Sequence, residues 1–203
     1  MNNANLNKVP DHRLVTIHYL TSGLGFLLLT GMVVFVPDAF TGHYFSPELL
    51  TITHLAVFGW ISMIIFGALY QLLPVISGNN LYSEKLAWVT YGLLLPGIPL
   101  FVIDFWQFDL FWLVHFGGTL ILLAVGCFTF NLFKTRSGKG SSIEKDFIGT
   151  SGIWLLVTVL LGLLFAFNLQ YAFLPQSHLV YLKLHAHIGA AGWFLSLIMG
   201  VGA

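Results

Sequence analysis

Charge is what this sequence has least of. Among 203 residues, eight are Lys or Arg and eight are Asp or Glu, together 8% of the chain. A soluble domain carries about a quarter. So few charges cannot cover a water-exposed surface of this size, and 57% of the residues are hydrophobic. The chain therefore reads as an integral membrane protein. The formal net charge is +0, which excludes a basic surface for nucleic acid. The lone cysteine, Cys127, excludes an internal disulfide framework or a thiolate metal cage. No nucleotide-binding loop, Ser–His–Asp arrangement or zinc-protease pattern is present. No Asp or Glu falls in the middle of an apolar run, so a proton path would depend on Tyr70, Ser62, Thr51, Thr53 and water.

Long apolar runs are abundant. Six reach the roughly 20 residues that a membrane-spanning helix needs: Leu14–Val36, Leu49–Ile76, Leu86–Phe105, Leu110–Phe133, Phe147–Leu174 and Tyr181–Ala203. They lack the alternating polarity of a transmembrane strand, so the expected fold class is all-α. The expectation is a polytopic bundle of six helices forming one domain over residues 1–203. Pro96 and Pro99 should kink helix 3, and Pro74 should bend or end helix 2. The basic residues Lys8, Arg13, Lys85, Lys134, Arg136, Lys139 and Lys145 all fall on one side. That side reads as cytoplasmic, with the N-terminus inside. Asp38, Glu48, Asp104 and Asp109 fall on the other, where Asp104 and Asp109 are expected to be solvated. Trp106, Trp112, Phe105 and Phe108 are expected to form an interfacial aromatic belt there. The segment Lys134–Asp146 reads as a solvated connector.

Histidine is the unexpected residue. Eight occur, and ionisable groups within a bilayer face the bundle interior or serve a function by default. His54, His115, His185 and His187 each lie within about two turns, roughly 10 Å, of the outer end of helix 2, 4 or 6. These histidines therefore share one layer of the membrane, and imidazole is a common ligand for haem iron, copper and zinc. A repeat strengthens the point. Helix 2 from His54 and helix 6 from His187 both read H-x4-G-W-x6-G, with Gly59, Trp60 and Gly67 matching Gly192, Trp193 and Gly200. Small residues pack membrane helices in general. Joined to the histidines, they suggest two equivalent helices approaching a common flat ligand, with Trp60 and Trp193 packing near it. Helix 6 adds His185. Residues two apart on a helix point about 200° from each other, so His185 and His187 should address different groups.

The run K-L-H-A-H-I-G-A-A-G-W-F-L-S-L-I-M-G around His185 and His187 resembles the H-x-H helix of subunit I of the haem–copper oxidases, nearest the C-type oxidases and nitric oxide reductases. The run T-H-L-A-V-F-G-W with G-A-L-Y-Q-L-L-P resembles that family's second helix. The resemblance covers mainly helices 2 and 6. It implies that His54 and His187 clamp a six-coordinate haem b, and that His185 faces a second haem or metal. His115 then stands near that second group as a further candidate ligand. The adjacent His–His pair of the family's copper site is absent here, and His115 matches no family ligand.

The implied cofactors are one or two haems b and copper. The implied partners are the lipid bilayer, a cytochrome or quinol electron donor, and O2 or NO, with assembly as a homo-oligomer or within a respiratory complex. The implied location is the inner membrane of a bacterium. The His-headed, Gly-rich spans also resemble the haem–copper membrane proteins of nitrosative-stress defence, the NnrS family. Three functions follow as alternatives: an oxidoreductase acting on O2 or NO, a non-enzymatic haem or copper sensor or carrier, and a transporter or assembly subunit without haem. The repeat also leads us to expect that these residues are the N-terminal part of a longer chain.

Overall fold

The computed structural model describes residues 10–137 and 142–203. Among these residues the chain is all-α and contains no strand. Six helices are long and apolar enough to cross a membrane: α1 (His12–Phe35), α2 (Pro47–Ser77), α3 (Glu84–Gln107), α4 (Trp112–Arg136), α5 (Ile143–Tyr171) and α6 (His178–Gly202). Each overlaps one apolar run of the sequence. The continuous hydrophobicity satisfies lipid, and the helix satisfies its own backbone. Arg13, Lys85, Lys134, Arg136 and Lys145 fall at one end of the bundle, here the basic end, and Asp38, Glu48, Asp104 and Asp109 at the other. Lys8 and Lys139 lie outside the described residues.

The helix ends follow local chemistry. Asp11, Ser46, Ser83, Ser142 and Ser177 cap α1, α2, α3, α5 and α6, each accepting a backbone N–H of the first turn. The helix of α2 runs on past Pro74 to Ser77 and stops at Gly78, whose φ of 67° makes a left-handed C-cap. Helix α3 likewise continues through Pro96 and Pro99. The connector expected over Lys134–Asp146 is shorter, because α4 continues to Arg136 and α5 begins at Ile143. Arg136 folds back, donating from Nη1 to the Lys145 carbonyl at 3.0 Å, and lies over the Phe133 ring.

Neighbours in sequence are neighbours in space. Helices α1 and α2 pack together, as do α3 with α4, α4 with α5, and α5 with α6. The centre is apolar: the Phe66 ring of α2 stacks on Phe128 of α4 with centroids 3.7 Å apart. Helix α1 buries only a narrow stripe, Leu14, Val15, His18, Ser22, Gly25 and Leu29. Helix α6 buries least of all, with Trp193, Leu197 and Gly200 on its covered edge.

The repeat has a backbone counterpart. Helix α2 changes from α to π geometry over Leu55–Ser62, and α6 does so over Ile188–Leu195. Both π segments begin one residue after the repeat histidine and last eight residues. Such wide turns are rare and concentrate at functional sites.

Candidate functional site

A cavity of about 510 Å³ opens among α2, α3, α4, α5 and α6, on the side of the bundle opposite the basic end. Its walls are almost wholly apolar, from Leu50, Val57, Phe58 and Ile61 of α2 to Leu155, Val159 and Leu163 of α5. Two imidazoles line it, His54 from α2 and His185 from α6. Few polar groups in an apolar pocket of several hundred Å³ is the usual composition of a cofactor site.

His54 is held by one hydrogen bond and three aromatic rings, the most distant being Phe58 at 6.2 Å. Its Nδ1 bonds the Leu50 carbonyl one turn back at 2.7 Å. The Phe105 ring stacks on it at 4.7 Å and 13°, and Phe101 meets it edge-on at 5.3 Å. With Nδ1 occupied, that nitrogen carries the proton and Nε2 keeps its lone pair for a ligand. Phe105 is therefore not part of the interfacial belt expected from sequence. It is buried, whereas Trp106, Trp112 and Phe108 are exposed.

His185 lies against α5. A methyl group on Gly162 would come within 2.9 Å of its Cε1, so any larger residue there would displace the ring from this position. Phe165 flanks it edge-on at 5.9 Å. Gly162 and Phe165 carried no signal in the sequence beyond the general frequency of Gly and Phe. Phe101 and Phe105 did carry one, since their four-residue spacing puts both on one face of α3.

His187 takes the other direction. It is exposed, does not line the cavity, and its Nδ1 bonds the Lys183 carbonyl at 2.7 Å. The structure thus brings His54 together with His185 rather than with His187. The opposed faces expected for His185 and His187 are those observed. His115 belongs to neither. It sits in a separate surface pocket between α4 and α5, stacked on Phe167 at 4.2 Å. Among the described residues, no three His, Cys, Asp or Glu side chains converge as a metal cage.

The repeat glycines do not line the cavity. A Cβ on Gly67 would meet His18 Cβ at 3.0 Å, and one on Gly192 would meet the Trp154 ring at 3.0 Å. One on Gly200 would meet the Ile148 backbone nitrogen at 2.8 Å. Their role is close approach of α2 to α1 and of α6 to α5. The repeat tryptophans divide: Trp193 lines the cavity, and Trp60 packs on Phe26 of α1 at 4.8 Å.

The residues fit a bis-imidazole haem. Two histidines line one apolar cavity from different helices, and a flat macrocycle needs apolar walls. His54 keeps Nε2 free with Nδ1 on the Leu50 carbonyl. The His185 ring bonds the Thr158 backbone of α5 and leaves Nδ1 without a partner. A self-contained three-ligand copper site has no counterpart among the described residues. Compared with protein-family models, with curated proteins and with solved structures, the chain finds no match.

Proposed function

We propose that this protein binds haem b in the cavity between α2 and α6, where His54 and His185 would hold the group, and serves one-electron transfer or gas binding. The observation that carries the reading is the presence of these two imidazoles in the lining of a single apolar cavity. A bound haem would supply an iron centre whose potential is set by its axial ligands and by burial. The protein's own residues do the rest. Leu50 fixes the His54 tautomer, Phe101 and Phe105 fix its plane, and Gly162 makes room for His185. Apolar walls from five helices exclude water and lower the local dielectric.

The basic residues would orient the N-terminus to the cytoplasmic side of a bacterial inner membrane. The cavity then lies toward the outer face, within reach of a cytochrome or quinol donor and of O2 or NO. Copper-dependent chemistry would need ligands from elsewhere. The role of His187 differs here from the one implied by the oxidase resemblance.

The test is an optical spectrum of the purified protein, oxidised and dithionite-reduced, with haem extraction. A low-spin b-type band is expected in the wild type and in His187→Ala, and is lost in His54→Ala and His185→Ala. A band that survives His185→Ala and vanishes in His187→Ala would return the ligand pair to the one implied by the resemblance. Absence of haem from protein made with ample haem supply would overturn the reading.

A further inference from the structure

A second polar layer lies near the basic end, among α1, α2 and α3. His18, Tyr70 and Tyr91 each stand six or seven residues inside their helix's basic end, about 10 Å at the α-helical rise. His18 is 0% exposed and Tyr70 2%. The His18 ring lies between the two tyrosines, with centroids 5.5 Å from Tyr70 and 5.0 Å from Tyr91. None of these groups takes part in the cavity described above.

The hydrogen bonds of this layer do not close. His18 Nδ1 bonds the Leu14 carbonyl at 2.7 Å, while its Nε2 is buried with no partner. The buried Tyr70 hydroxyl has the Thr90 side chain beside it to donate to, which leaves its oxygen able to accept a further hydrogen bond. The Thr90 hydroxyl nearby gives its hydrogen to the Leu86 carbonyl at 3.0 Å. Tyr91 and Thr21 share one hydrogen bond of 2.9 Å between their hydroxyls, which leaves each oxygen further capacity. Leaving a buried polar group unbonded is costly, and in a membrane no solvent is at hand to relieve it. Buried polar atoms in proteins are almost always bonded, to protein or to ordered water. A buried water needs two to four polar partners, and this layer offers four side chains able to serve.

We propose that the His18–Tyr70–Tyr91 layer binds internal water, which bridges His18 Nε2 to the Tyr70 hydroxyl. The site makes His18 the anchor of a hydrated node some two turns inside its helix's basic end. It is independent of haem, because no residue of the cavity contributes to it.

Hydroxyl-radical footprinting by X-ray radiolysis tests this in nanodisc-reconstituted protein, since radicals form where water is bound. Phe66, one turn from Tyr70 and 0% exposed, reports any general loosening, and exposed Tyr82 reports bulk water. Oxidation of Tyr70 well above Phe66 is expected in the wild type. His18→Leu should lower Tyr70 oxidation to the Phe66 level, and His18→Asn, which keeps a polar group, should retain it. Tyr70 oxidised no faster than Phe66 in the wild type would overturn the proposal. So would equal Tyr70 oxidation in the wild type and His18→Leu with Phe66 unchanged. Should His18→Leu fail to fold, the comparison of Tyr70 with Phe66 in the wild type still decides.

Discussion

Gly25 of α1 and Gly59 of α2 face each other so closely that a methyl group on Gly25 would overlap the Gly59 carbonyl oxygen. The obstacle is backbone, so no side chain can swing aside. Gly25→Ala must push α1 off α2 and loosen Ser22, whose hydroxyl donates to the Trp60 carbonyl at 3.0 Å. Overpacking of this kind costs about 1–3 kcal/mol. Gly23 has open space where its Cβ would go, so Gly23→Ala is the matched control. Thermal unfolding followed by circular dichroism in detergent should show a lower midpoint for Gly25→Ala and an unchanged or raised one for Gly23→Ala.

Gly162 bears on the site rather than on stability. Gly162→Ala places a methyl group 2.9 Å from His185 Cε1, and the ring must turn or withdraw from the cavity. Reduced haem retention, or a shift from a low-spin toward a high-spin spectrum, is the expected result, with helical content preserved. Retention and spectrum identical to the wild type would mean that His185 is not held where a ligand would need it.

How much of this was legible in the sequence depends on the kind of signal. The six spans were, because a continuous apolar run of bilayer length admits few other structures. The histidine layer was also legible, since depth along a helix is simple arithmetic. Which histidines share a space was not. His185 and His187 could be placed on opposite faces, but their faces could not be assigned until α5 was seen packing against His185 through Gly162. The π segments after His54 and His187 left only an indirect trace, the repeat itself. The repeat glycines were visible, but their partners, Gly25 and His18 of α1 and Ile148 of α5, are a matter of tertiary packing. Asp104 is the clearest departure: expected to be solvated on the surface, it is 1% exposed.

That burial has a local reason. Helix α4 begins after Phe111, which offers no side-chain cap. Asp104 of α3 supplies one from across the turn, its Oδ2 accepting the Val114 N–H at 2.6 Å. The carboxylate thus satisfies a first-turn donor of α4 and sits favourably at the positive end of its dipole. Asp104→Ala leaves that donor unpaired in a buried place, at a cost of about 1–3 kcal/mol. Asp104→Asn keeps an acceptor and should lose less. The order wild type, Asn, Ala in thermal midpoint is the expected outcome, and equal midpoints for all three would show that the cap adds nothing.

At the basic end, Asn131 of α4 anchors Ser83, the N-cap residue of α3. It is 0% exposed. Its Nδ2 donates to the Ser83 carbonyl at 2.8 Å, and its Oδ1 accepts the Ser83 N–H at 3.2 Å. Both backbone groups of the α3 N-cap residue are thereby paired with a single side chain two helices' worth of chain away. Asn131→Asp keeps the acceptor, removes the donor and adds a buried charge without a partner of opposite sign in that pair. Asn131→Leu removes both bonds while filling the space. Because the Ser83 groups lie near the helix end, water can reach them once the side chain is changed, which limits the penalty for Leu to about 1–3 kcal/mol. The charged variant should be the less stable of the two, since a buried carboxylate costs more than a lost hydrogen bond. Amide hydrogen exchange of Leu86 and Ala87, in the first turn of α3, reads the local effect. Faster exchange there in both variants, with α5 unchanged, is expected, and unchanged exchange at α3 would place the anchoring of this helix elsewhere.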